Sequence, residues 1–265
     1  MFLPSAEHIG TKPMNIPIKN EREIEMMRAA GRVAGTVLHR LVGMIRPGIT
    51  TKEVDEAAAD YMAELKAKSA FLGYRGFPGN ICISMNEEVV HGIGGARKIQ
   101  YGEIVKLDVG VIKDGWVGDT ATTVEVGVVD EKTQRLLRVT QEALRIGISC
   151  AVAGRRLGDM GAAIEEEVLA NGYTVVREFV GHGVGRALHE EPQVPNYGRA
   201  GSGPKLKPGM TLAIEPMVNL GRAGVKVLGD HWTVVTLDGK PSSHFEHTVL
   251  VTKGEPEILT VREGM

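Results

Sequence analysis

Four carboxylates sit inside runs that otherwise read as buried strands, and no other feature of this 265-residue chain restricts its folding as much. Asp108 lies in EIVKLDVG, Asp119 in GWVGDTATTVEV, Glu215 in MTLAIEPMV and Glu246 in SSHFEHTVLVT. A lone carboxylate in such a run is costly to bury and tends to protonate. Four of them gathered in one place need compensating positive charge, and two divalent cations supply it. His182, between two glycines that let the backbone bend sharply, completes the set. Water held by two such ions is the apparatus of metal-assisted hydrolysis.

The rest of the composition narrows the setting. At 43% hydrophobic and 24% charged the chain is an ordinary globular sequence. A net charge of -2 gives no reason to expect nucleic acid or an anionic membrane as partner. No apolar run approaches the ~20 residues that span a bilayer. The first twenty residues have neither a basic start nor a continuous apolar stretch, so no signal peptide is expected. Cys82 and Cys150 are too few for a disulfide framework and read as reduced thiols of a cytoplasmic protein.

Helical spacing predicts four helices. Asn20 and Glu23 form a capping box for the first, which Arg46-Pro47-Gly48 ends; Thr50 and Glu53 open a second that runs to about Leu65. Asp130 caps a third that runs to about Cys150, and a fourth spans Gly158 to Asn171 with Gly172 as its stop. The breaks between the paired helices are 106 residues apart, and Gly102–Asp108 aligns with Gly209–Glu215 at an offset of 107. Two landmarks at nearly one offset argue for an internal duplication. The expected organisation is an N-terminal arm over residues 1–17, carrying Pro4, Pro13 and Pro17, and one domain with internal pseudo-twofold symmetry over 18–265.

The acids call for closer placement. Asp108 and Asp119 flank the turn signal Lys113-Asp114-Gly115. A loop centred on Lys113 and Asp114 sets the two aspartates directly opposite, on one face. A loop centred one residue later would spoil that pairing. Pro216 after Glu215 fits an edge or a bulge, which can re-aim a side chain. His244 shares the face of Glu246 in a strict strand and His247 points away; His244 reads equally as a partner of the site or as solvent-facing. The run around His182 contains G-x-G, but the sequence after it is a poor helix, which rejects a dinucleotide loop. His91 and His189 are candidates for meeting a scissile carbonyl and its amide nitrogen.

The ordered set Asp108, Asp119, His182, Glu215 and Glu246, with His91 and His189, resembles the methionine aminopeptidases. The segments NEEVVHGIG, LDVG, GDTATT, GHGVGRALHEEPQVPNYG, LKPGMTLAIEPM and HFEHTV carry the resemblance over Ile18 to Val261. It implies an α/β (α+β) pita-bread fold, in which pseudo-twofold duplicated halves with antiparallel sheet and outer helices enclose the metal site. The short stretch before the first helix disfavours the proline-specific and creatinase relatives. The 25 residues between His189 and Glu215 leave no room for the helical insertion of the second type, so the chain is similar to the first.

The resemblance further implies removal of the initiator methionine from nascent polypeptides, with a metal-bound hydroxide as nucleophile. Asp108 and Asp119 would hold one ion, His182 and Glu215 would complete the other, and Asp119 and Glu246 would bridge them. Glu215 would accept the water proton, His189 would stabilise the oxyanion and His91 would contact the amide nitrogen. Tyr74, Phe77, Cys82, Leu188 and Trp232 map onto the methionine pocket, with Leu188 where an aromatic residue is frequent and Phe71 where smaller ones occur. The implied ions are manganese, iron(II) or cobalt, zinc not being excluded. The expected partners are nascent N-termini, met at the ribosome, with no nucleic-acid specificity, no membrane and a monomeric state. Two other readings are a metal-free binding module and an aminopeptidase for X-Pro or another N-terminal residue. The presence of all five ligand residues disfavours the first; peptide specificity separates the second.

Overall fold

Asn20 starts the first helix as its sequence predicts. In the computed structural model, which describes residues 15–261, Asn20 Oδ1 accepts from Glu23 N and Glu23 Oε2 accepts from Asn20 N, closing the capping box of α1 (Glu21–Val42). Thr50 and Glu53 do the same for α2 (Thr51–Glu64). Each such cap is worth about 1 kcal/mol. After them come β1 (Lys68–Ser69), β2 (Cys82–Met85), β3 (Glu88–Val90) and the long hairpin of β4 (Ile104–Lys113) and β5 (Trp116–Glu125). The apolar stripe of α1 lies on this hairpin. The contact is close because Gly118 carries no side chain: a Cβ there would collide with the Ala30 carbonyl.

The second half repeats the plan with α3 (Glu131–Ser149), α4 (Leu157–Ala170), β6 (Thr174–Val175), β7 (Gly181–Gly183), β8 (Glu190–Val194), β9 (Thr211–Ile214) and β10 (Met217–Asn219). A small hairpin of β11 (Val225–Val227) and β12 (Val234–Thr236) precedes β13 (Ser242–His244), β14 (His247–Leu250) and β15 (Glu257–Ile258). Asp130 caps α3 as expected. At α4 the Asp159 carboxylate accepts from Arg156 N, and Gly172 stops the chain at φ +81°. Each half buries its own apolar cluster: Leu38, Leu41, Ile83 and Leu107 in the first, Leu136, Ile164, Leu212 and Ile214 in the second.

The duplication extends to strand register. α2 and α4 begin and end 106 residues apart. β1 pairs with β4 through Ser69 and Val111, and β6 pairs with β10 through Val175 and Val218. The halves meet along β5 and β14, where Glu246 N donates to Ala121 O (3.0 Å) and Ala121 N to Glu246 O (3.4 Å). On one side of that pair Thr248 Oγ1 donates to Asp119 O and accepts from Asp119 N. On the other, Thr123 Oγ1 makes the same two bonds to His244. The pseudo-dyad therefore passes through the Ala121–Glu246 pair, and Asp119 and His244 occupy equivalent places. Lys106, fully buried, ties the halves again by donating from Nζ to Asn86 O and to Ser242 O.

The loop of the β4–β5 hairpin corrects one expectation. Lys113 pairs with Trp116, so the loop is centred on Asp114 and Gly115, one residue later than direct opposition required. Asp108 faces Ala121, and Asp119 faces Gly110. Moving a loop centre by one residue shifts the pairing by two, which keeps side-chain parity. The aspartates remain on one face as diagonal neighbours.

Candidate metal centre

Strand pairing places the acids in two rows. Cys82, Asp108, Ala121 and Glu246 succeed one another across β2, β4, β5 and the start of β14. Glu215 comes next, because His247 pairs with Ile214 and Met217 with His244, leaving Glu215 opposite Glu246 between the two ladders. Pro216 cannot donate to a ladder, so the strand breaks there and β9 and β10 enter different sheets. Asp119 stands one step along β5. His182 reaches the same face from β7, where it pairs with Ala213, two residues before Glu215. The positions opposite these groups are Gly110, Ala121 and Ala213, all of them small; the Phe71 ring takes the room over Gly110.

The resulting distances are short. His182 Nε2 lies 3.7 Å from Asp119 Oδ2 and 3.6 Å from Glu215 Oε1. Ligand atoms of Asp119, His182 and Glu246, all buried, fall within 4.8 Å of one another. Asp108 and Glu215 beside them are half-buried. Burial pushes all four carboxyls well above their ordinary range, and they raise one another further: Glu215 acts on Asp108, Asp108 on Asp119, and Asp119 on both Glu215 and Glu246. Burial holds His182 down to about 4, so its ring is neutral. With Nδ1 donating to Gly183 O at 2.9 Å, Nε2 turns its lone pair towards the carboxylates.

Buried oxygens Asp108 Oδ1, Asp119 Oδ1 and Glu246 Oε1 find no hydrogen-bond partner among the described residues. Orphaned carboxylate oxygens beside a neutral imidazole are the donors a divalent cation takes, and a set of carboxylates and imidazole suits hard to borderline ions. Cys82 lies in the same row, but burial, then Asp108 and Asp119, push its thiol up, which keeps it protonated. The residues fit a metal centre.

Around the acids the chain gathers the other sequence candidates. His244, 1% exposed, points Nε2 at Glu215 Oε2 from 3.4 Å, so it faces the site and not solvent. Burial, then His91 and Lys106, hold it down to about 3. His91 takes a left-handed φ of +60° and packs against Phe179 (5.4 Å) and Trp232 (6.4 Å). His189 stands at the mouth, its ring 4.2 Å from His182 and its Nδ1 2.8 Å from Tyr74 Oη. Phe77, Cys82 and Leu188 share one buried cluster with Phe71, and Tyr74 and Trp232 pack against it. The Phe77 ring meets Trp232 edge-on at 5.1 Å and Phe71 at 6.5 Å.

The family of metallopeptidases designated M24 matches residues 25–253. The chain belongs to metallopeptidase family M24. This M24 chain is similar to a methionine aminopeptidase of Clostridium perfringens, 49% identical over 93% of this chain and 99% of that one. It is 48% identical to methionine aminopeptidase 1 of Bacillus subtilis, over 91% of this chain and 98% of the relative. The structure of a methionine aminopeptidase from Thermotoga maritima superposes with a TM-score of 0.91 at 46% identity, covering 94% of this chain and all of the other. A prolidase from Pyrococcus horikoshii, at 23% identity and a TM-score of 0.75, shares the fold and is longer, since the match covers 64% of it. The pita-bread fold expected from the sequence is the fold observed. As an M24 metallopeptidase the chain is a hydrolase that uses divalent metal.

Sequence reasoning missed three features of this M24 site. The Thr123 and Thr248 bridges, the Lys106 tie and the seating of Phe71 on Gly110 all join residues distant in sequence. Only the unusual lysine inside IVKLDVG hinted at one of them. Among the described residues no helix is long and apolar enough to cross a membrane.

Proposed function

We propose that the chain removes the initiator methionine from nascent polypeptides, working as one catalytic domain over residues 18–265 with 1–17 as an arm. Residues 1–14 and 262–265 lie outside the described part. The observation that carries the reading is the set of orphaned carboxylate oxygens beside the neutral His182, in a chain nearly half identical to methionine aminopeptidases over almost its whole length. Asp108, Asp119, His182, Glu215 and Glu246 would hold two ions, manganese, iron(II) or cobalt by donor type, zinc not being excluded. When bound, such ions bring the pKa of a coordinated water near neutrality and so supply the hydroxide nucleophile.

The chain's own residues do the remainder. Glu215 takes the proton of the attacking water, and His244 stands behind it with Nε2 3.4 Å from Glu215 Oε2. In the tautomer whose Nδ1 accepts the Tyr74 O–H across 2.8 Å, His189 carries its proton on Nε2 to meet the oxyanion. His91, neutral at a pKa lowered to about 4 by burial and then by His189, contacts the scissile amide nitrogen. Tyr74, Phe77, Cys82, Leu188 and Trp232 receive the methionine side chain. Two buried unpaired cysteines suit a cytoplasmic protein that meets N-termini at the ribosome as a monomer.

The test is hydrolysis of Met-Ala-Ser by the chelated protein with manganese, cobalt and iron(II) added back separately. Metal-dependent methionine release is expected. A folded protein silent with every metal, yet cleaving an X-Pro peptide or nothing at all, would overturn the proposal.

A further inference from the structure

The loop 184–189 between β7 and β8 carries Leu188 of the pocket cluster and His189, and it begins two residues past His182. One carboxylate shapes it. Glu190 turns back under the loop, and its Oε1 accepts from Arg186 N at 2.7 Å and from Ala187 N at 3.3 Å. A Cβ on Gly185 would lie 2.5 Å from the same oxygen, so the carboxylate fills the room that the missing side chain leaves. The other oxygen, Oε2, receives Lys19 Nζ at 2.6 Å. The two side chains are only 4% and 12% exposed.

Lys19 arrives from the segment before α1, 171 residues away. Its backbone is held independently: Lys19 N donates to Gly209 O at 2.8 Å. Gly209, at φ +89°, lets the Lys19 carbonyl approach to 2.6 Å from where a Cβ would stand. An exposed ion pair of this kind can be lost with little effect. Here the pair is mostly shielded from water, so removing the lysine strands a largely buried charge whose remaining partners among the described residues are the loop N–H groups.

We infer that Lys19 is a positioning residue: its ammonium fixes the Glu190 carboxylate, which holds loop 184–189 in the turn that presents Leu188 and His189. The inference rests on the aminopeptidase reading, which gives those two residues their roles. It makes the segment ahead of the first helix part of the site's construction. Nothing in Lys19's own sequence surroundings marks it for this.

The experiment uses the full chain loaded with manganese, with trypsin as a probe of the loop, since Arg186 is exposed within it. Lys19→Met is expected to melt cooperatively, to be cut after Arg186 much faster than the parent, and to lose roughly 10–100-fold in kcat/KM on Met-Ala-Ser. Lys19→Met/Glu190→Gln removes both charges while an amide oxygen still serves Arg186 N and Ala187 N. The double variant is expected to regain trypsin resistance and most of kcat/KM. If Lys19→Met does not fold, Glu190→Gln alone carries the test, because it faces Lys19 with an amide and must open the loop. A folded single variant cut no faster and within about two-fold of the parent in kcat/KM would overturn the inference. A parent inactive on Met-Ala-Ser, with the loop still opened by Lys19→Met, would sink the aminopeptidase reading and leave the loop linkage standing.

Discussion

Gly110→Ala tests the geometry of the pocket from beneath. Gly110 lies on the site face opposite Asp119, and the Phe71 ring rests on it. A methyl group there would stand 2.8 Å from Phe71 Cζ and 3.0 Å from Cδ1. Carbon contacts settle at about 3.5–4.0 Å, so the ring must retreat by roughly 1 Å. It cannot do so freely: Phe71 is buried, its ring abuts Phe77, and Phe77 abuts Trp232. Overpacking of this kind costs about 1–3 kcal/mol. For a chain of this length that lowers Tm by about 2–4 °C per kcal/mol. The KM for Met-Ala-Ser should rise, because the displaced rings crowd the pocket proposed for the methionine side chain. Calorimetry on the four members of the Phe71→Ala, Gly110→Ala cycle isolates the contact. In the Phe71→Ala background the added methyl should be nearly neutral, giving a coupling of about 1–3 kcal/mol. A Gly110→Ala protein that melts with the parent and keeps its KM would refute the stacking argument.

Other perturbations follow from the same geometry. Glu215→Gln should abolish turnover while leaving melting cooperative; a near-normal rate would remove Glu215 from the chemistry. Metal binding should release protons, because Asp108, Asp119, Glu215 and Glu246 have pKa values raised above the ordinary carboxylate range, whereas His182 is already neutral. The sign is that apparent affinity falls as pH drops through the window between those raised values and the ordinary carboxylate range. Calorimetric titrations in buffers of different ionisation enthalpy read the proton count, and a count that does not grow as pH is lowered would contradict the raised values. Gly92→Ala would drive a methyl group into the Ile83 carbonyl beside His91, so both stability and kcat should fall. Unchanged kcat in a destabilised Gly92→Ala protein would argue against a role for His91.

The sequence disclosed what depends on neighbours along the chain. Caps at Asn20, Thr50 and Asp130 act within three residues, and all three appear where they were expected. The acids stood out because each violates its own apolar strand. The hairpin register was less secure, since Lys113-Asp114-Gly115 allows two loop centres and only the fold chose between them. His244 could not be assigned, because what it faces is Glu215, brought near by a strand break at Pro216 and a matching break at Phe245 and Glu246. Lys19 and Glu190 are each ordinary charged residues until the chain places them together.

The dyad through Ala121 and Glu246 also bears on ancestry. A half-length chain with this plan could have met a second copy of itself along the same edge, as a homodimer with its cavity on the twofold axis. Such a dimer must carry identical residues at both places now held by Asp119 and His244, and likewise by Ala121 and Glu246. Joining two copies in one chain lifts that constraint, because each place can then mutate alone. One threonine on either side of the axis makes the same pair of bonds, while the side chains facing the cavity differ, an acid that can ligate on one side and a histidine that backs one on the other. A site that is uneven about its own axis, with Asp119 at one place and His244 at its equivalent, is a property that the fused chain can encode and the symmetric dimer cannot.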